Sequence, residues 1–310
     1  MNNRPDRHLE TSQRALYTEL LGKLEEKLEL PPDKPEETHA NTLKALWFLA
    51  AGHPVSARSA ETRELEPLDE PQQRTLRELT ARRLKGEPLA FLTGRKTFMG
   101  VEFHLNRQVF IPRRETELLV RSILELHASG RIREQGSILC DLGTGCGNIP
   151  LILAEKMDPA AVYATDLLEE ALEAARENAH RLGYGKLMRF YRGDLFEPLR
   201  PLALEGRVDV LTCNPPYISS AKVPEMAREI SGFEPREAFD GGAFGVNVLQ
   251  RLIEESAAFL KPGGWLGFEV GAGQGSAVIK RLRRRDRYGE IIGKEDPDGI
   301  VRAVLARRLA

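Results

Sequence analysis

Leu16, Leu20, Leu24 and Leu28 follow one another at intervals of four, so residues 11–30 present one apolar stripe of helical period. Pro31, Pro32 and Pro35 come next, and proline, lacking an N–H, ends a helix there. A second apolar run, Leu43 to Ala51, stops at Gly52-His53-Pro54. A third predicted helix runs from Glu70 to Lys85, with Leu76, Leu79 and Leu84 on its buried side and Gly86 closing it. Residues 1–88 therefore read as a small helical domain without a cluster of catalytic residue types.

The pattern changes after Leu89. Phe91, Thr97, Phe98, Val101, Phe103, Val109 and Phe110 are strand formers broken by Gly94 and Gly100, which predicts a β-hairpin linker over residues 89–112. From 113 to 310 helical and strand periods alternate. Helices are predicted at 115–128, 146–157, 168–182, 246–261 and 274–285. Strands are predicted at 137–142, 160–165, 187–192, 207–213, 264–270 and 300–306. Strands separated by helices pair in parallel through right-handed crossovers, so the fold class is α/β with a doubly wound sheet.

Composition narrows the function by exclusion. The 41% hydrophobic content suffices for a core, and charged residues, 29% of the chain, nearly cancel to a net charge of -1. Such a balance exerts no global pull on nucleic acid. Cys140, Cys146 and Cys213 form no CxxC pair and have no histidine cluster beside them, so neither a disulfide framework nor a metal site is expected. No apolar run reaches membrane-spanning length, and the start of the chain is polar, with Arg4, Asp6 and Arg7, unlike a secretory signal. A soluble cytoplasmic protein is the expectation.

Candidate chemistry sits at two strand ends. Ile138-Leu139-Cys140-Asp141-Leu142 runs into Gly143-Thr144-Gly145-Cys146-Gly147, whose glycines permit a sharp turn and close approach of a ligand. The junction with the following helix should also offer free N–H groups. Asp166, ending the next strand, is placed to accept hydrogen bonds from ribose hydroxyls. The loop lacks the Gly-Lys-Ser/Thr of a phosphate-binding loop, and its third glycine comes too early for a dinucleotide fingerprint. A sulfonium nucleoside with an amino-acid tail, S-adenosylmethionine, fits better. Gly193-Asp194-Leu195-Phe196 can meet its adenine, with Asp194 as acceptor and Leu195 as apolar cover.

The second strand end is Cys213-Asn214-Pro215-Pro216-Tyr217, after Val208 to Thr212. Two prolines remove backbone donors, so this corner presents carbonyls. The Asn214 side-chain oxygen and the Pro215 carbonyl can each accept a hydrogen bond from one –NH₂ group, Pro216 stiffens the turn, and Tyr217 supplies a ring for a planar group. Asn214, Pro215 and Tyr217 are thus the candidate catalytic residues of an N-methyltransferase, and with Pro216 they form its acceptor site.

These motifs resemble the release factor glutamine methyltransferases, which methylate N5 of the glutamine in the Gly-Gly-Gln loop of class 1 peptide release factors. The resemblance spans residues 38–308. It rests on Arg83-Leu84-Lys85-Gly86-Glu87-Pro88-Leu89, Phe110-Ile111-Pro112-Arg113-Arg114-Glu115-Thr116-Glu117, the two motifs above, Phe233-Glu234-Pro235 with Gly241-Gly242, Leu260-Lys261-Pro262-Gly263-Gly264, and Asp298-Gly299. It implies a class I S-adenosylmethionine-dependent methyltransferase domain, Rossmann-like with a seven-stranded mostly parallel sheet, behind a helical domain that grips the protein substrate. It also implies cofactor contacts at Gly143, Thr144, Gly145, Cys146, Gly147, Asp166, Leu195 and Asn214, a release factor as partner, and a monomer. Arg113 and Glu117 are expected to brace the site or to form a structural ion pair. Two departures stand out: Leu195 replaces a bulkier aromatic, and Ala243-Phe244-Gly245 replaces a typically acidic segment.

Three other readings remain open on the residues alone, the first being an N-methyltransferase of the same family that acts on another protein or a small molecule and keeps every residue named here. An adenine N6-methyltransferase would need a phosphate-binding surface, for which Lys280-Arg281-Leu282-Arg283-Arg284-Arg285-Asp286-Arg287, read as one basic helix, is the candidate. A cofactor-binding scaffold without turnover would not need Asn214 and Tyr217.

Overall fold

The computed structural model describes residues 9–30, 33–133 and 135–310; Arg4, Asp6, Arg7, Pro31 and Pro32 lie outside them. The chain divides into two compact units. One takes in everything up to Arg107 together with Ala227–Glu234; the other comprises Gln108–Met226 and Pro235–Ala310.

The first unit is mostly helical. Its helices are α1 (Thr11–Lys27), α2 (His39–Ala50), α3 (Ala57–Glu61), α4 (Glu70–Leu84) and α5 (Leu89–Thr93). Leu16, Leu20 and Leu24 of α1 pack with Leu43, Leu46 and Trp47 of α2 in one apolar cluster. The helix ends at Lys27, earlier than the leucine spacing predicts, because Leu28 turns to extended backbone. Asp69 and Gln72 form a reciprocal capping box at the start of α4, satisfying two otherwise orphaned N–H groups. Strands β1 (Arg95–Phe98) and β2 (Val101–His104) make the expected hairpin. Met99 and Gly100 both have positive φ, 48° and 84°, the turn whose twist suits a two-residue hairpin. The hairpin is built into this unit. Ser56 donates its N–H to Glu102 (2.9 Å) and shares a 2.7 Å hydroxyl hydrogen bond with Thr97, while Phe98 and Phe103 are buried edge to face.

A buried charge cluster holds α9 (Arg228–Ser231), the turn that a distant stretch of sequence contributes to this unit. Glu229 accepts from Lys34 at 2.5 Å and from Arg83 at 2.9 Å, and Arg83 also faces Glu37 at 3.7 Å. Burying these charges is tolerable because each faces an opposite one.

In the second unit the strands β3 (Ile138–Leu142), β4 (Ala161–Asp166), β5 (Met188–Arg192), β6 (Val208–Cys213), β7 (Leu260–Glu269), β8 (Tyr288–Glu295) and β9 (Val301–Arg308) form one sheet in the order β5-β4-β3-β6-β7-β9-β8. The first five strands pair in parallel, and β9 runs antiparallel to both β7 and β8. This is the seven-stranded mostly parallel sheet that the resemblance implies. Helices α6 (Thr116–Ala128), α7 (Asn148–Met157), α8 (Glu169–Arg181), α10 (Asn247–Phe259) and α11 (Gly275–Arg283) pack against it. Every residue of β6 is buried, as a central parallel strand requires. Even Asp209 within it is satisfied, by Lys261 and by the N–H of Ile138. The pattern misses β8, an edge strand whose residues are largely exposed and include Gly289 and Gly293, so no clean alternation marks it.

Register matters most for function. Leu142 lies beside Thr165 and Cys213, and Cys213 beside Phe268. Gly143, Asp166, Asn214 and Glu269 therefore emerge along one carboxyl edge of the sheet, where open α/β sheets bind ligands.

Burial alone would raise the Glu229 carboxyl, but Lys34 and Arg83 hold it below its usual 4.5. A depressed carboxyl stabilises the fold above its unfolded value and loses that contribution as pH falls through the folded one. Wild type should exceed Glu229→Gln in urea stability at pH 7, with the gap closing toward pH 3. A gap that is constant with pH refutes the ion-pair role.

Candidate active site

The glycine turn is shaped by its own backbone. Gly143, Gly145 and Gly147 have φ of 67°, 55° and 81°, a region closed to most side chains. At Gly147 a Cβ would also stand 3.1 Å from Leu151 and 3.3 Å from Ala175 on α8, so the residue is small for packing as well. The turn does not offer all its donors. Thr144 donates its N–H to the Thr165 carbonyl, Gly145 to the Asp166 carboxylate and Gly147 to the Thr144 carbonyl. The N–H groups at these three positions are thus spent inside the fold, and the loop meets the cleft through Gly143, Thr144 and Gly145.

A cleft of about 350 Å³ opens along this edge. Gly143, Thr144, Gly145, Asp166, Asp194, Leu195, Asn214 and Pro216, all predicted from the sequence, line it. Four predicted residues are not among the lining residues: Cys146, Gly147, Pro215 and Tyr217. Cys146 is fully buried with its sulfur toward Asn148, and burial pushes its thiol up to about 12. Pro215 is buried beneath the corner. Tyr217 donates its hydroxyl to Glu269 at 2.9 Å, which turns the ring's polar end toward the buried carboxylate.

Each acidic group in the cleft has a defined setting. Asp166 receives the Gly145 N–H at 2.8 Å on one oxygen and the Leu168 N–H at 3.0 Å on the other, which leaves each oxygen further acceptor capacity. Burial still raises its carboxyl. Asp194, predicted to meet an adenine amino group, gives one oxygen to Arg251 of α10 at 2.6 Å. Below the turn, Asp141 is pushed up to about 7 by burial, against the Thr212 hydrogen bond and with the Asp166 charge adding. The Thr144 hydroxyl also faces this carboxyl and opposes the rise. Leu195 carries a positive φ of 49° without being glycine, a strained backbone held by Thr165, whose hydroxyl donates to the Leu195 carbonyl at 3.1 Å.

The acceptor side depends on backbone contact. The loop after Tyr217 returns through Pro235, Glu237, Ala238 and Asp240, which line the cleft, and crosses the proline corner at Gly241 and Gly245. A Cβ on Gly241 would lie 2.5 Å from the Pro216 carbonyl, and one on Gly245 2.2 Å from that of Tyr217. Paired glycines are needed because two backbones touch here. Gly241 donates to the Ile218 carbonyl (2.8 Å), and Asp240 ties down the Ser220 hydroxyl (2.6 Å) and the Gly242 N–H (3.0 Å).

Sequence reasoning missed several participants. Phe110 and Thr116 line the cleft from the segment quoted above only for resemblance. Arg251 lies on a helix with no motif. Glu269 had one readable signal, an acid at the carboxyl end of an apolar strand. Arg113 is buried, with its guanidinium 4.5 Å from the Phe110 ring centre, and Glu117 accepts from Arg121 at 2.8 Å. The basic run is not one helix. It leaves α11 at Arg283, and Arg281 and Arg285 both pair with Glu254.

With the geometry in place, comparison with known proteins is informative. Residues 133–266 match the methyltransferase domain family and residues 37–94 the PrmC N-terminal domain family. A release factor glutamine methyltransferase of Moorella thermoacetica is 39% identical, over 73% of this chain and 77% of its own. One from Geobacter sulfurreducens is 32% identical over 86% and 89%. Among solved structures, the catalytic domain of hMettl16 in complex with a MAT2A 3'UTR hairpin superposes with a TM-score of 0.51 at 15% identity, covering 74% of this chain and 81% of that one; this likeness concerns the fold.

Alanine at Gly145, where nothing lies within 4 Å of an added Cβ, should cost only the left-handed backbone strain, about 1–2 kcal/mol. Gly147→Ala should cost clearly more in the same urea titration, and equal losses would refute close packing of the turn on α8.

Proposed function

The chain belongs to the release factor glutamine methyltransferase family, and on that premise we propose that its cleft transfers a methyl group from S-adenosylmethionine to the side-chain amide nitrogen of the glutamine in the Gly-Gly-Gln loop of a peptide release factor. The observation that carries this reading is the placement of Asn214 and the glycine turn on one cleft at the carboxyl edge of the sheet.

The residues present suit a cationic nucleoside. Asp166 and Asp194 line the cleft, Asp141 lies beneath it, and Arg251 offsets one of the three carboxylates. Leu168, Leu195 and Ile149 provide apolar wall. In this reading Gly143, Thr144 and Gly145 admit the ligand, Asp166 accepts from its ribose, and Asp194 and Leu195 face its base. Cys146 and Gly147 act from behind by fixing the turn. When bound, S-adenosylmethionine supplies an electrophilic methyl group on a positively charged sulfur.

An amide nitrogen is a weak nucleophile because its lone pair is delocalised into the carbonyl. The Asn214 side-chain oxygen and the Pro215 carbonyl hold its two hydrogens, orient the nitrogen and favour the positive charge it gains. Phe110 and Pro216 bound the flat group, a part the sequence assigned to Tyr217. The proton leaves after transfer, so no general base has to act beforehand. The helical unit grips the protein substrate, and the protein works as a cytoplasmic monomer; no helix of the described residues is long and apolar enough to cross a membrane. Nucleic acid is not the acceptor in this reading, since Glu254 answers part of the basic run.

Incubation with radiolabelled methyl donor and recombinant release factor should label the peptide containing Gly-Gly-Gln and nothing else. Label on RNA or DNA instead would overturn the assignment. Asn214→Ala should lower kcat roughly 100- to 1000-fold and weaken cofactor binding only moderately; near-normal turnover contradicts the two-acceptor geometry. Because a cation favours ionised Asp141, cofactor binding should release a proton and tighten as pH rises through about 7. Calorimetry in buffers of different ionisation enthalpy reads this directly, and pH-independent affinity with no proton release would remove Asp141 from the site.

A further inference from the structure

Four side chains behind the acceptor corner form one hydrogen-bonded chain. Asn214 donates from Nδ2 to the Thr116 hydroxyl at 3.2 Å. Thr116 donates to Glu269 Oε2 at 2.7 Å, and Tyr217 donates to Glu269 Oε1 at 2.9 Å. Glu269 is 1% exposed and Thr116 2%, so water does not compete for these bonds.

The direction of every bond follows from the end of the chain. Both hydroxyls donate to the Glu269 carboxylate, and these two bonds favour its charged form against the burial that raises it above the usual 4.5. Thr116 has a single proton, already committed to Glu269, and can only accept from Asn214. Asn214 must therefore turn its NH₂ toward Thr116, and its carbonyl oxygen is left facing away from that bond. Were the amide reversed, two acceptors would face each other at Thr116, and the cleft would receive a donor where the substrate's –NH₂ needs an acceptor.

We propose that Thr116 and Glu269 are positioning residues for methyl transfer: they lock the Asn214 amide in the orientation that presents its oxygen to the acceptor –NH₂. This rests on the assignment of Asn214 above, and it adds what selects one of two nearly isosteric orientations of that side chain. It also gives a role to Thr116 in the Arg113-Arg114-Glu115-Thr116-Glu117 segment: the position starts α6 and meets the ends of β6 and β7. The buried carboxylate is not isolated, since Glu115 and Arg302 also act on it electrostatically.

Thr116→Val keeps the shape and removes the hydroxyl. At saturating cofactor it should lower kcat for release factor methylation roughly 10- to 100-fold, with the cofactor dissociation constant within about twofold, and Thr116→Ser should restore most of the rate. Because valine leaves one oxygen of Glu269 unpaired in the interior, the single variant risks losing its fold. The double variant Thr116→Val/Glu269→Gln removes that charge and should show the same kcat loss as Thr116→Val. Near wild-type kcat in either valine variant would overturn the proposal, because Asn214 would then be oriented without Thr116. Wild-type transfer measured alongside separates this outcome from failure of the functional reading itself, in which no variant labels a release factor.

Discussion

Glu269 is a carboxylate inside the protein at the carboxyl end of β7, and a charge there survives only if hydrogen-bond donors face both of its oxygens. Its two donors come from different parts of the chain, Thr116 at the start of α6 and Tyr217 at the end of the proline corner. Satisfying one buried charge thereby draws together the helix that opens the catalytic unit, strand β6 through Asn214, and strand β7. The wall of the cleft at the proline corner is the consequence of that satisfaction, and the wall at the glycine turn, to which the proposed reading gives the cofactor, is built on different terms.

On the cofactor side the constraint is steric. Left-handed glycines at 143, 145 and 147 let the chain reverse between β3 and α7, and Asp166 binds the turn by accepting the Gly145 N–H. That same carboxylate faces the cleft, so one group both fixes the loop and offers acceptor capacity to a ligand. Leu195, tied to Thr165 beside Asp166, stores strain in a left-handed conformation. The return loop obeys a second steric rule, since Gly241 and Gly245 pass against the Pro216 and Tyr217 carbonyls too closely for any Cβ. The corner is bounded by backbone that has no room to move, which favours preorganisation over adjustment.

Charge is distributed unevenly between the two units. In the helical unit, Lys34 and Arg83 are balanced by Glu37 and Glu229 in the interior and hold a turn of remote sequence in place. In the catalytic unit, Asp141, Asp166 and Asp194 outnumber the cation that answers them, Arg251, and the surplus suits a positively charged ligand. The basic run that begins in α11, which looked like a phosphate-binding face, spends Arg281 and Arg285 on Glu254.

Local chemistry made much of this molecule legible beforehand. Period-two and period-3.6 patterns located six of the seven strands and the long helices, because a buried strand or helix face must be apolar at its own repeat. The glycine turn, Asp166, Asp194 and Asn214 were readable because short stretches encode sharp backbone turns and strand-end polar groups. Edge strand β8 was not, since an element with one strand partner, half of its residues exposed and two glycines carries little pattern. Tertiary structure alone decided that Tyr217 serves a buried carboxylate and Phe110 the cleft, that Arg251 reaches Asp194, and that Thr116, Asn214 and Glu269 share one chain of protons. Those partners lie up to 153 positions apart in sequence, and their meeting follows from strand order and register, which no local window contains.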